Sequence, residues 1–130
     1  MRSERGTVSA ELALVAPALM LLVLGLLQFG LWYHAQEVAQ GAALEGARVA
    51  AAEDGSAAAG RARAMEILQE GLGSAATDEA ASASVGPDVA RVRVTARLQG
   101  ILPIPGLSSF VLSSEASAFR ERFRPADEGP

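Results

Sequence analysis

Apolar residues are not spread evenly along this chain. Leu12 to Tyr33 reads LALVAPALMLLVLGLLQFGLWY, with no charge and with Gln28 as its only strongly polar side chain. As a helix the run spans about 33 Å at roughly 1.5 Å per residue, which matches a hydrocarbon core of roughly 30 Å. A core helix of a soluble protein alternates with polar positions, and this one does not. Trp32 and Tyr33 close the run, as aromatics that favour the bilayer interface do, and His34 follows as an interfacial polar residue. The pattern predicts a transmembrane segment over 12–33. Pro17 removes one backbone hydrogen bond within it and predicts a kink. Gly25 and Gly30 add small residues for close helix approach.

The next stretch, His34 to Ala52, has no proline and consists mostly of helix formers. Gly41 and Gly46 weaken it by about 1 kcal/mol each relative to alanine. One continuous helix from about residue 8 to 52 is expected. Ala35, Ala39, Ala43, Ala47 and Ala51 recur at every fourth position. They reflect either a general abundance of alanine or a packing seam against another helix, within the chain or in a neighbouring one. Glu45 and Arg48 are spaced to pair on the surface, with little gain in stability. Glu53-Asp54-Gly55-Ser56 ends the helix.

Residues 57–72 read as a second helix, with Ala58, Ala62, Met65, Leu68 and Leu72 on one face and Gly73 as its C-cap. Ser74 to Ser84 is low in bulk and reads as a loop ending in a weak strand at about 80–85. Gly86-Pro87-Asp88 is a turn. From Val89 to Leu98 the alternation is clean: Ala90, Val92, Val94, Ala96 and Leu98 face one way, and Arg91, Arg93, Thr95 and Arg97 the other. Arg91, Arg93 and Arg97 form either a solvated outer sheet face or a face for acidic partners or lipid headgroups. Ile101-Leu102-Pro103-Ile104-Pro105-Gly106-Leu107 is broken by prolines, so it is neither helix nor central strand. It either crosses over the sheet or touches the membrane surface. Phe110 to Phe119 reads as a further strand, Arg120 to Arg124 ends the ordered part, and 125–130 reads as a disordered tail.

The expected fold is α+β: a long N-terminal transmembrane helix continuing outside the membrane, a second amphipathic helix, and a small antiparallel β-sheet of about three strands. The organisation is a leader at 1–6, the long helix at 7–52, a small outer domain at 53–124, and the tail. That outer core is small for an independent fold, so support from the long helix or from neighbouring subunits is expected.

Composition narrows the function. The chain has 130 residues, 50% hydrophobic but only 5% aromatic, with 11 basic against 15 acidic residues and a net charge of −4. That balance excludes a general nucleic-acid binder. The absence of cysteine excludes a disulfide scaffold, a zinc knuckle and a thiol nucleophile, and one histidine leaves little for a metal site. Every basic residue is arginine, which reads as codon bias. There is no Gly-x-Ser-x-Gly, no phosphate-cradling glycine loop and no His-Glu-x-x-His. Glu66, Glu70 and Glu79 have no identifiable partner base. No enzyme activity, cofactor or small-molecule substrate is expected.

Charge around the apolar run sets its orientation. MRSERG carries Arg2, Arg5 and the terminal amine against Glu4, whereas the far flank opens with Glu37 and has no basic residue before Arg48. The N-terminus is therefore expected in the cytoplasm and the rest outside, in a single pass of the cytoplasmic membrane. The run is longer than the roughly 7–15 residues of a secretory signal, and no clean small-x-small site follows it directly. A cut near 35–42 would instead release a secreted domain.

Glu11 borders the apolar run, where a carboxylate needs a partner or the interface. It is either a boundary charge that snorkels to the headgroups or part of a pair. If a peptidase cut after Gly6, Thr7 would carry a new α-amine. That amine and Glu11 of a neighbouring chain would then lower each other's penalty in a low dielectric.

This layout resembles the type IV prepilin class. Residues 5 to about 52 resemble the TadE-like family, minor pseudopilins of the tight-adherence (Flp) pilus system. Arg5-Gly6 precedes a small-residue stretch ending in Glu11-Leu12, and Ala13-Leu14-Val15-Ala16-Pro17 is similar to the family's apolar run with an early proline. Gln28-Phe29-Gly30 stands where the family usually has an acidic residue followed by Phe-Gly. Ala42-Ala43-Leu44-Glu45-Gly46-Ala47-Arg48 resembles its Ala-Ala-x-Glu-Gly-Ala-Arg signature. Similar Pro-x-Pro-Gly-Leu connectors precede the last strand in such proteins. The resemblance implies cleavage after Gly6 by a membrane aspartyl prepilin peptidase, giving a mature chain that begins at Thr7. It implies Glu11 in assembly, partners among pilins, pseudopilins and the pilus assembly machinery, and a place in the pilus or beside it. The alternative is an uncleaved single-pass adaptor subunit of a cell-envelope complex.

Overall fold

The computed structural model describes residues 3–121. Met1 and Arg2, the segment Arg122-Phe123-Arg124 and the expected tail at 125–130 lie outside the described residues. Helix α1 spans Ser3–Ala51, 49 residues, or about 74 Å at roughly 1.5 Å per residue. It begins earlier than the expected residue 8. One glycine at position 6 lowers helix propensity by only about 1 kcal/mol, too little to stop a helix backed by a long apolar continuation. The helix also runs through Pro17. Its outer end is closed by a turn in which the Gly55 N–H donates to the Ala52 carbonyl at 2.8 Å.

Helix α2, Ala57–Leu72, starts at Ser56, whose Oγ accepts the Ala59 N–H at 3.1 Å. That bond serves one of the four amides a helix start leaves open. It ends at Gly73, in a left-handed backbone with φ 51°, whose N–H donates to the Gln69 carbonyl. Arg63 donates to Glu66 one turn on, at 2.8 Å, on the exposed side. The face α2 buries is the expected one only in part: Leu68 and Leu72 turn inward as expected, but Gly60 and Ala64 stand in the core where Ala58 and Ala62 were expected. Gly60, Ala64, Leu68 and Leu72 are buried, Met65 and Ile67 are half-buried, and Ala58 and Ala62 are exposed. The cause is the approach of α1. A Cβ added to Gly60 would lie 2.6 Å from both the Ala50 Cβ and the Gly46 carbonyl oxygen. One added to Gly46 would lie 2.8 Å from the Gly60 carbonyl oxygen and 2.9 Å from the Ala64 Cβ. Further along, a Cβ on Gly71 would lie 2.5 Å from Val38 Cγ1. The helices are thus antiparallel, with the 38-42-46-50 row of α1 turned toward α2. Only a residue without a side chain fits the crossing, so Gly60 rather than Ala58 decides which way α2 is rotated.

Three strands form one antiparallel sheet in the order β1-β2-β3, with β1 at Ala76–Val85, β2 at Val89–Gln99 and β3 at Ser109–Phe119. This is the α+β architecture expected from the sequence, with β1 longer than the weak strand at 80–85. A short 3-10 turn over Gly73–Ala75 leads directly into β1. The Ala- and Ser-rich sequence of β1 has little intrinsic strand preference, and the ladder with β2 imposes the conformation. The cost shows as a bulge. Thr77 pairs with Arg97 and Ala80 with Thr95, so β1 carries an extra residue, and Asp78 takes φ 54°. Aspartate tolerates that left-handed backbone better than most residues.

The core lies where the sheet meets the helices. Ala90, Val92, Val94, Ala96 and Leu98 of β2 point inward, with Leu112 of β3 and Ala76 and Ala81 of β1 beside them. The α1 row Ala35-Ala39-Ala43-Ala47-Ala51, next to the row that meets α2, is buried, and α1 packs on β2 and β3. At the distal end the Arg120 N–H donates to the Asp88 carbonyl at 2.9 Å. The Glu121 N–H donates to the Ala51 carbonyl at 3.3 Å, serving one of the acceptors left open at the end of α1.

The Gly46–Gly60 contact is therefore the least tolerant point of the fold. Gly60→Leu is expected to destabilise the outer unit by about 1–3 kcal/mol through overpacking. Gly41→Ala, at a position with open space around it, is expected to be neutral or to stabilise by up to about 1 kcal/mol. Unfolding midpoints in detergent micelles, followed by circular dichroism, check both.

Candidate functional site

The residues singled out in the sequence fall on three parts of the molecule. Gly6, Thr7 and Glu11 lie on the exposed proximal part of α1, with no helix break between Gly6 and Thr7. From there to Leu27 the helix stands clear of the outer unit. Its leucines and valines are exposed, with Leu24 and Gly25 half-buried. That surface is long and apolar enough to cross a membrane. Phe29, Trp32 and Tyr33 cluster at its outer end, with Phe29 6.0 Å from Trp32 and 6.4 Å from Tyr33 between ring centres.

The alanine row 35-39-43-47-51 belongs to the interior of the molecule. Each of its members is at most 3% exposed, covered by the chain's own sheet and second helix. Ala42, Gly46 and Ala50 alongside it are buried as well. This part of α1 is taken up within the molecule. The exposed apolar surface of α1 is the part below it.

Arg91, Arg93 and Arg97 project from the outer face of the sheet, as alternation along β2 requires. Cross-strand register gives each a different setting. Arg93 stands opposite Glu115 and pairs with it, Nη2 to Oε2 at 2.7 Å. Arg97 donates through Nε to Oδ2 of Asp78 at 3.2 Å, reaching the residue that the bulge displaces. Arg91 lies between Ser84 and Ser117 in the ladder. All these side chains are solvent-accessible, so each pair is worth at most about 1 kcal/mol and leaves the guanidinium available. Glu45 and Arg48 approach to 3.8 Å on α1, also exposed. Among the described residues no cluster of histidine and carboxylates is arranged to hold a metal ion.

Gln28 has a role that the sequence reading missed. It is 8% exposed, inside an otherwise exposed apolar stretch. Its Oε1 accepts the Ile101 N–H at 2.6 Å. A Cβ on Gly100 would lie 2.9 Å from Gln28 Nε2 and 2.5 Å from the Leu107 carbonyl oxygen, so only glycine lets the β2–β3 loop reach the amide. Two signals pointed here. A lone amide in an apolar span requires a hydrogen-bond partner, and a glycine directly precedes the apolar proline-rich loop.

An apolar rod carrying a small α+β unit on its C-terminal half defines an architecture in which a candidate membrane span and the domain share one helix. Residues 6–48 match the family model described as TadE-like protein. The matched stretch takes in Gly6, Glu11, the apolar run and the Ala42–Arg48 segment, which carry most of the resemblance, while Arg5 and the connector at 103–107 lie outside it. No curated protein and no solved structure matches the chain.

Gln28→Leu keeps the size of the side chain but removes the acceptor. It is expected to cost about 1–3 kcal/mol, because the Ile101 N–H loses its partner in a largely apolar setting. Amide exchange at Ile101 should speed up while exchange at Val92 and Val94 in the sheet stays unchanged.

Proposed function

We propose that this protein is a membrane-inserted minor pseudopilin that takes part in assembling a Flp-type pilus or a related secretion system. The observation that carries the reading is the TadE-like match over residues 6–48. It begins at the glycine of the proposed processing site and runs through the apolar helix into the part of α1 that supports the outer domain.

The working cycle follows from charge and packing. Arg2 and Arg5 hold the leader in the cytoplasm, and residues beyond the span lie on the far side of the cytoplasmic membrane. A prepilin peptidase cuts after Gly6 and leaves an α-amine on Thr7. Glu11 is exposed on the same stretch of helix and pairs with the new amine of a neighbouring subunit, which reduces the cost of both charges at the membrane boundary. Subunits pack through the exposed apolar surface at 8–27, since the alanine seam is occupied within each chain. The outer domain, with Arg91, Arg93 and Arg97, meets other pilins or the assembly machinery. In this scheme the protein is a substrate and a structural part.

N-terminal mass spectrometry of the native protein tests the reading. A mature chain starting at Thr7 is expected. An intact leader would make the protein an uncleaved anchored adaptor, and a start near 35–42 a secreted domain. Glu11→Ala is expected to leave membrane insertion unchanged and to lower pilus assembly by about tenfold, the loss that follows when a contact worth ~1.4 kcal/mol disappears. Normal piliation in that variant would remove the charge pair from the mechanism.

A further inference from the structure

The β2–β3 loop, residues 100–108, lies level with a part of α1 that belongs to the apolar run. Its Ile101 N–H is held 2.6 Å from Oε1 of Gln28. Gln28 precedes Trp32 and Tyr33 by about one turn or slightly more, so it sits roughly 6–8 Å deeper along the helix than the aromatic end of the span. Strand geometry agrees. β2 has 11 residues, about 36 Å at roughly 3.3 Å per residue. It starts near the end of α1, where Asp88 and Ala51 both accept bonds from the end of β3. Helix α1 needs about 35 Å to return from Ala51 to Gln28. The strand therefore delivers its far end to the depth of Gln28.

The composition of the loop suits that depth. Residues 99–114 carry no charge, and Ile101, Ile104 and Leu107 are 43%, 42% and 44% exposed. Three apolar side chains close together at the tip of a small domain make a patch of the kind that marks a contact surface. The nearest charges on the sheet, Arg97 and Asp78, are paired with each other. Arg97 stands about 7 Å back along β2 from Gln99, at the height where headgroups would lie. Part of the loop's backbone is bonded within the chain. Non-helical chain close to hydrocarbon is costly unless its polar groups are bonded. Here the Gly100 N–H donates to the Ser108 carbonyl at 2.8 Å and the Leu107 N–H to the Ile104 carbonyl at 2.9 Å. The Ile101 N–H goes to Gln28, and Pro103 and Pro105 have no N–H to satisfy.

We infer that the β2–β3 loop is a second membrane contact of this protein, dipping its Ile101, Ile104 and Leu107 side chains into the outer leaflet of the bilayer that α1 spans. The inference rests on the membrane-inserted reading of α1. The occupant of this apolar tip is lipid because the tip continues the lipid-facing surface of the helix beside it. The contact also shields Gln28: the loop supplies the partner that an isolated amide in a bilayer would lack. The outer domain is thereby held down on the membrane surface at a point away from the helix axis.

The full chain has no cysteine, so single-cysteine variants report depth directly. Ile104→Cys, Leu19→Cys and Ser82→Cys, each labelled with an environment-sensitive fluorophore, are reconstituted in phosphatidylcholine–phosphatidylglycerol vesicles. The vesicles contain lipids bearing nitroxide quenchers near the headgroup or deep in the acyl chain. The expected result is a blue-shifted emission at position 104 that is quenched several-fold more by the shallow quencher. Position 19 should be quenched by the deep one, and position 82, on the outer sheet face, by neither. An unquenched label at 104 with a quenched label at 19 overturns the loop contact and leaves the span standing. An unquenched label at 19 overturns the membrane reading of α1, and the loop contact with it.

Discussion

The structure depends on bringing backbones close enough together for alanine to make a core. Most of the fully buried side chains are alanines, on α1, on α2 and on all three strands but the last. An alanine removes little apolar surface from water, at about 25 cal/mol per Å². Many such contacts must be made at short range for their dispersion energy to add up. Gly46 and Gly60 set that range for the helix pair, because each occupies the space a methyl group would need on the other side. Once they meet, Leu68 and Leu72 are turned inward, and Val92 of the central strand comes within 3.2 Å of where a Gly46 Cβ would be. The longer side chains fill what the close approach leaves.

This explains which parts of the fold could be read from the sequence. The apolar run at 12–33 and the strict alternation at 89–98 are dense signals from large side chains, and helix α1 and strand β2 follow them. The rotation of α2 depends on a contact in which the decisive residue has no side chain. A hydrophobic period therefore selects Ala58 and Ala62, which face solvent. Strand β1 is set by its partner, and nothing in Ala-Thr-Asp-Glu-Ala-Ala announces it. Its bulge at Asp78 is visible only when the ladder to Arg97 and Thr95 is known.

The candidate site divides in the same way. Spacing alone brings Arg91, Arg93 and Arg97 to one face, but the carboxylates that meet two of them come from β1 and β3 through register. The alanine row is plain in the sequence, whereas its partner is not, since the chain's own sheet and a filament neighbour would favour the same small residues. Gly6, Thr7 and Glu11 are legible in an ordered motif, and the fold adds their exposure on one uninterrupted helix. Gln28 was conspicuous as the lone amide of the run. Its partner lies 73 positions away in the sequence, beyond the reach of any local pattern.

The outer unit is fastened to α1 at both extremes: Gln28 grips the Ile101 amide at one end, and Glu121 reaches the Ala51 carbonyl at the other. Between them the alanine seam leaves no swivel. The arginine face therefore keeps a fixed azimuth about the axis of α1, and the rotation of the lower shaft sets the direction in which that face looks. A loose tether would leave the head free to turn; this arrangement makes it a pointer.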